Sequence, residues 1–464
     1  MQLPITGGTN TAFSVNSSPL RAINLIPEVD AQAKYPLRLQ PRPGLVTHAN
    51  AGSSEVRGLL EWNGDLYAVV GDNVLKVDTS GVVQNIGSIG TTSGTVSMAA
   101  GTDEFMLVDG NAGYSSNASG TSIAVISDSD FPDTATHVTW MDGYFIVNDP
   151  SNAGRAYRSD ANDATSWGSL NFATAERNPD DLKAIIAIQR TLWLVGSKTA
   201  EPWFNDGSDG FSFRPFDGGF SETGIHAPHS LAKGGGFVFW LAKEISGGPA
   251  VVMANGLQVT RVSTAAIEQD IVDAGTTTGA TGDVIYYRGH LLYMLNLPTG
   301  RTLAYDPETG LWHEWKSYLL TRFRGQHFAS IDGTLYCGDY QDGNIWSLSA
   351  TAYDDNGAEI EREWRSRHVL DPNTRGLIQF NQLELDAETG TGSLTKDPIV
   401  DISWSDDGGH IFNDPAYRFL GKEGDRAGRV LVNNLGSARD RVFKIRFTDP
   451  FKFVFLGGFL DVTL

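Results

Sequence analysis

A short hairpin recurs along this 464-residue chain, and it constrains the fold more than any other feature. Its first instance is Trp62-Asn63-Gly64-Asp65-Leu66-Tyr67-Ala68-Val69-Val70, followed by a polar break and Val74-Leu75-Lys76-Val77-Asp78. Its clearest copy is Ile331-Asp332-Gly333-Thr334-Leu335-Tyr336, followed by a break and Ile345-Trp346-Ser347-Leu348. Asn-Gly and Asp-Gly favour the positive φ angles of two-residue hairpin turns. The apolar alternation after each turn is that of a half-buried strand.

Degenerate copies open at Asp103-Glu104-Phe105, Asp142-Gly143-Tyr144, Gln189-Arg190-Thr191, Gly235-Gly236-Phe237 and Arg288-Gly289-His290. The turns fall at positions 64, 103, 143, 190, 236, 289 and 333. A period of roughly 40–50 residues, each holding several short strands, is the signature of propeller blades. Unrelated meanders would show the same hairpins, but a lone four-stranded sheet cannot bury both faces, whereas radial packing can. The expected fold is all-β: a propeller of six or seven blades, according to whether the first and last turns complete one blade together. Tyr305-Asp306-Pro307-Glu308-Thr309-Gly310-Leu311-Trp312, an Asp-Pro turn followed by an aromatic strand start, is kelch-like. One helix is expected from Thr264 to Ala274, with Ser263 as cap, Ile267 and Ile271 inward and Gly275 at its end.

Two segments depart from the repeat. Residues 1–50 carry Pro19, Pro27, Pro36, Pro41 and Pro43 and read as an extended N-terminal arm before a propeller at 51–351. Residues 352–464 contain cleanly alternating strands, such as Val400-Asp401-Ile402-Ser403-Trp404, and read as a small C-terminal β-sandwich. Phe453 to Val462 reads as its closing hairpin, with Gly457-Gly458 as the turn.

The chain offers little chemistry. A single cysteine, Cys337, excludes a disulfide framework and a Cys-based zinc site. No nucleophile elbow, phosphate-binding loop, dinucleotide fingerprint or His-Glu-x-x-His occurs, so no catalytic residue, cofactor or metal site is assigned. His226 and His229 flank Pro228, which disfavours a helical ligand pair, and they read as solvent-exposed turn residues. Asn205-Asp206-Gly207-Ser208-Asp209-Gly210 has calcium-like oxygens without the downstream glutamate of an EF-hand, and reads as a turn. Ser405, Asp407, Gly409 and Phe412 fit the Asp-box pattern, a hairpin stabilised by side-chain bonds to backbone amides. That motif is structural.

With 35 basic and 55 acidic side chains, the net charge of −20 argues against wrapping nucleic acid. No apolar run approaches the ~20 residues of a membrane span, so no membrane insertion is expected. The start lacks the basic and apolar regions of a signal peptide.

Several motifs, in order, resemble the packaged DNA stabilization proteins of short-tailed bacteriophages. They are Asn24-Leu25-Ile26-Pro27-Glu28, Arg42-Pro43-Gly44-Leu45, the run Leu194 to Trp203, Val262-Ser263-Thr264-Ala265-Ala266-Ile267-Glu268, and Ile402 to Gly408 in the sandwich. The resemblance implies a non-enzymatic virion protein of the tail, assembled in the host cytoplasm. Such proteins form a homo-oligomeric ring, usually hexameric, that follows the head-to-tail adaptor ring below the portal. The ring continues the DNA channel, retains the packaged genome and offers attachment to a needle or plug and to tailspikes or fibres. Packaged double-stranded DNA would pass its lumen without sequence-specific binding. Residues 1–351 hold 21 basic and 36 acidic residues, against 14 and 19 in the remainder, so acidic blade loops are expected to line that lumen. The alternative is a propeller-type glycan-binding protein, glycosidase or depolymerase, which would need arginines or acids clustered at the propeller mouth.

Overall fold

The computed structural model describes residues 2–463 apart from 4, 6, 12, 13, 153, 176–179, 244–247 and 372. The described chain forms seven antiparallel blades and a two-sheet sandwich; the blades have four strands, save that in the fifth Gly224–Ile225 also pairs with Phe237–Lys243. Blades 1 to 6 occupy residues 56–88, 97–125, 138–174, 182–215, 232–261 and 281–315, and blade 7 begins at 325–349. The first strands of successive blades adjoin, and that of blade 7, Gly325–Ile331, meets that of blade 1, Val56–Trp62. The ring is closed.

Each of the seven turns read from sequence joins the first and second strands of its own blade, which makes the blade count seven. Six of them place two consecutive residues at positive φ, as at Asn63 (53°) and Gly64 (83°) or Asp332 (47°) and Gly333 (81°). That is the hairpin turn whose twist matches its strands. In blade 4 the pair is Gln189 (45°) and Arg190 (62°), residues without the usual tolerance for this conformation. The strain persists because the next strand, Thr191–Gly196, is buried almost throughout. Blade 2 differs, its turn closed by Gly101 N–H donating to the Glu104 carbonyl at 2.8 Å. Second strands such as Asp65–Val70 and Phe105–Val108 are sandwiched between neighbouring blades, so their inner residues are apolar on both faces.

The arm completes both domains. Gly44–Asn50 pairs with Asn344–Ser349 as the outermost strand of blade 7, so one blade joins residues about 300 positions apart. Pro19–Ile23 lies between the outer strand of blade 6, Leu311–Trp315, and the sandwich strand Arg362–Arg365. A hydrogen-bonded sheet thus runs unbroken from blade 6 into the sandwich. Leu25–Val29 and Leu37–Pro41 enter the opposite sandwich sheet, placing Leu25 and Leu39 in a core with Trp364, Phe380, Phe443 and Phe455.

Two sequence expectations are corrected. Phe455–Thr463 is one strand rather than a hairpin, because Gly458 pairs with Leu3 of the arm on one side and Leu385 on the other. The single α-helix among the described residues, Ala265–Asp273, is capped by Thr264, whose Oγ1 accepts from Ile267 N–H at 3.4 Å. Ser263 donates instead to Glu268 Oε1 at 2.6 Å. Ile267 and Ile271 are buried, and Gly275 follows the helix at φ 77°.

Candidate functional site

Two regions gather polar side chains from distant parts of the chain: the joint between propeller and sandwich, and the propeller axis. The joint centres on Asn24, held at φ 55°. Its Oδ1 accepts from Arg42 Nε and Lys316 N–H, both at 2.8 Å. Its Nδ2 donates to the carbonyls of Lys316 at 2.9 Å and Glu361 at 2.7 Å. Those four bonds exhaust the amide and tie arm, blade 6 and sandwich together. The fully buried Arg42 guanidinium grips Asp355 with two bonds of 2.9 and 2.7 Å and also donates to the carbonyls of Pro43 and Lys316. A Cβ on Gly44 would lie 2.3 Å from the Asp354 carbonyl, so only glycine admits the closing strand beside this clasp.

Further ion pairs surround the clasp. Arg21 holds Glu314 at 2.9 and 2.8 Å, while Glu361 bridges Lys316 at 3.1 Å and Arg446 at 2.9 Å. Burial pushes the Glu314 carboxyl upward, but Arg21 and Arg301 overcome that and hold it below the usual range. Arg362 is buried with only carbonyl acceptors, those of Ile360, Asp449 and Tyr353. Burial, reinforced by the charge of Arg42, pushes it down to about 9. This constellation clamps two domains and contains no nucleophile–base pair.

On the axis, first-strand residues from all seven blades enclose a cavity of about 460 Å³. His137 and His229 stack with ring centroids 4.7 Å apart, and His137 Nε2 meets the Pro228 carbonyl at 3.2 Å. Burial holds His229 and His327 at about 4, so both imidazoles are neutral near pH 7. Asp283 accepts from His327 N–H at 3.2 Å and Phe328 N–H at 3.3 Å, and burial pushes its carboxyl up to about 6. Lys233 Nζ donates to the Ala187 carbonyl at 2.6 Å. Among the described residues no three His, Cys, Asp or Glu side chains converge as a metal cage. The cavity has the volume of a small-molecule site. Double-stranded DNA, whose major groove alone is about 12 Å wide, cannot pass through it.

Of the axial residues only His229 was named from sequence, as a turn residue, although a signal exists for three others. His137, Asp283 and His327 each precede their blade's turn glycine by six positions, so the repeat register brings them to one level. The exposed-turn expectation for His226 and His229 is corrected: His229 lies on the axis, and half-buried His226 bonds Thr277 Oγ1 at 2.9 Å. In the calcium-like loop, Asp206 is engaged by Ser208 and Arg214, and these bonds hold its carboxyl at about 2.

At the Asp-box-like turn, Gly409 N–H donates to Ser405 Oγ at 2.9 Å. His410 and Ile411 N–H donate to Asp407 Oδ1 at 3.0 and 2.9 Å. Phe412 lies under Lys444 and Arg365. In the run Leu194 to Trp203, Asp180 accepts from Ser197 Oγ and from the N–H groups of Lys198 and Thr199. Buried Glu201 receives Trp203 Nε1 at 3.3 Å.

Comparison with known proteins places this geometry in context. Residues 1–353 match the family model described as "Bacteriophage P22 Gp10, beta-propeller", and residues 361–463 match "Bacteriophage P22 Gp10, beta-sandwich". No curated protein matches. Among solved structures, the computationally designed Ika8 protein is similar at 13% identity and TM-score 0.40, over 71% of this chain and 99% of that one. The extracellular domain of a hybrid two-component system from B. thetaiotaomicron is similar at 11% identity and TM-score 0.46, over 76% of this chain and 44% of that one.

Proposed function

The chain belongs to the bacteriophage P22 Gp10 family of phage structural proteins, and from that membership we propose that it is the hub of a short tail. In this reading copies of the chain form a ring, six-fold in the usual case, below the adaptor. The ring continues the DNA channel, retains the genome and carries a needle or plug and tailspikes or fibres. The role is mechanical and non-enzymatic.

The observation that carries the reading is the sheet running unbroken from blade 6 into the sandwich, locked by Asn24, Arg42 and Asp355. Two domains so joined act as one rigid brick, which a ring under pressure from packaged DNA requires. The narrow propeller axis supports a second element: the channel lies between subunits. Alternating strand direction puts the first-to-second-strand turns on one face, with the third-to-fourth-strand turns beside them. That face offers Asp103, Asp163 and Asp332, beside Asp65 paired with Lys76 at 2.8 Å and Asp142 paired with Arg190 at 3.3 Å. Turned toward the lumen, it would repel phosphates and let the duplex slide.

Reconstruction of purified tails tests the proposal. Six-fold density fitted by this two-domain body below the adaptor is expected. A single copy per tail, or density outside the tail, would refute it.

A further inference from the structure

A second, smaller hollow of about 240 Å³ lies at the mouth of the propeller axis where the first strands begin. Glu55, Arg57, Thr95, Thr281, Arg322 and His327 line it, from blades 1, 2, 6 and 7 and the segments leading into them. This is the seam where the ring shuts. Thr95 and His327 also line the larger axial cavity, so the two volumes adjoin.

The fold leaves part of Arg322 unused. The residue is only 6% exposed. Its Nε donates to the Phe323 carbonyl at 3.3 Å and its Nη2 to Gln326 Oε1 at 3.0 Å, while Gln326 Nε2 donates to the Val56 carbonyl at 3.1 Å. The guanidinium lies over the Tyr340 ring at 4.1 Å. Among the described residues Nη1 has no acceptor, and no carboxylate bonds this cation. Nearby acids are committed elsewhere: Asp339 to Arg324 and Trp346, and Asp283 to the N–H groups of His327 and Phe328. Arg57 uses its donors on Gly71, Thr91, Ser93 and Gly94, and Asp109 reaches it through the Thr91 hydroxyl. Glu55 is the one carboxylate among the described lining residues, and it opposes an anion.

His327 supplies a second donor. It sits at φ 54° in a bulge, where the register between Gln326 and Phe328 shifts against Gly338 and Cys337. A bulge re-aims a side chain, and left-handed backbone at a residue other than glycine is strained, a combination found at binding sites. The imidazole forms no hydrogen bond with the described residues, and burial beside Arg322 keeps it neutral near pH 7, with one N–H to give. A buried cation without a bonded counter-charge is disfavoured, and the open edge of a planar guanidinium matches an oxyanion.

We propose that this hollow binds a small free oxyanion, a phosphate or a carboxylate, anchored by Arg322 and His327 at the seam between blades 7 and 1. The Thr95 and Thr281 hydroxyls complete its lining. Because the ion binds only the folded chain, it stabilises the closed ring of blades.

Calorimetric titration of the full chain in chloride buffer tests this, with inorganic phosphate in one arm and succinate in the other to separate the two chemistries. At least one of them should bind saturably, a single ion per chain, and raise the melting temperature. Arg322→Met should weaken that binding roughly tenfold or more, the worth of a charge-assisted hydrogen bond. Glu55→Gln should tighten it several-fold by removing the opposing charge, a gain that misfolding does not imitate. Absence of saturable binding in both arms overturns the assignment, as does a folded Arg322→Met that weakens binding less than tenfold. Should Arg322→Met misfold by circular dichroism, Glu55→Gln decides alone, and binding no tighter than wild type overturns the assignment. Each of these outcomes leaves the hub reading untouched.

Discussion

Removing the carboxylate of Asp355 is the sharpest test of the clasp. Arg42 is fully buried and Asp355 nearly so, and two hydrogen bonds of 2.9 and 2.7 Å join them. Asp355→Ala leaves a buried guanidinium with amide and carbonyl partners alone. Breaking a buried pair from one side costs about 3–5 kcal/mol. The upper half of that range is expected, because Asp355 also offsets the charge of Arg362, which has no carboxylate of its own. Native-state hydrogen exchange reads the effect where it arises, at Asn24 N–H donating to the Glu314 carbonyl and Arg42 N–H donating to Asn24. At about 1.4 kcal/mol per decade, the upper half of the range, about 4–5 kcal/mol, should make these amides exchange roughly 700 to 4,000 times faster. Arg42→Met with Asp355→Leu should recover most of the loss, since an apolar pair leaves no stranded charge. The exposed pair Arg429–Glu384 is the control, and Glu384→Gln should cost less than about 1 kcal/mol. If Asp355→Ala accelerates the joint amides less than tenfold, the clasp is no stronger than a surface pair and the rigid-brick argument fails.

Arg190→Gly should stabilise blade 4 by roughly 0.5–1 kcal/mol in urea unfolding, because it relieves a left-handed residue and sacrifices only an exposed ion pair. Gly44→Ala should cost more than about 2 kcal/mol and release the closing strand, read as new protease sensitivity near residue 44, because its Cβ would meet the Asp354 carbonyl. Asp283 holds its proton up to about pH 6 in the folded state but only to 3.8 when unperturbed. The native state binds more protons across that window, so this group's contribution falls as pH rises from about 4 to 6 and is flat above. Asp283→Asn should remove that slope and leave the variant about 1–2 kcal/mol more stable at pH 7.5, allowing for water in the cavity. Ser405→Ala should cost about 1 kcal/mol in the sandwich transition, the worth of the bond from Gly409 N–H.

The repeat was legible because each blade writes its turn locally. Asn63-Gly64, Asp142-Gly143 and Asp332-Gly333 announce positive φ through residues that tolerate it, and the apolar strands after them announce burial between neighbours. Even Gln189-Arg190, which lacks that signal, was found by its place in the period. His137 and His327 were less visible, because a polar residue at a first strand looks the same whether it faces solvent or six other blades. Their shared distance from the turn was the only trace.

What the sequence determined by itself was the unit: a short antiparallel meander, its turn recurring in six or seven blades, followed by a different β domain. Local turn chemistry and strand alternation suffice for that, because both act within a few residues. Only the tertiary structure decided how the ring shuts and how the two domains become one body. Gly44–Asn50 finds its partner about 300 residues away, and Asn24, Arg42 and Asp355 meet only once every blade is in place. Contacts between such distant segments impose no spacing on the chain, so no local pattern records them until packing brings their atoms together.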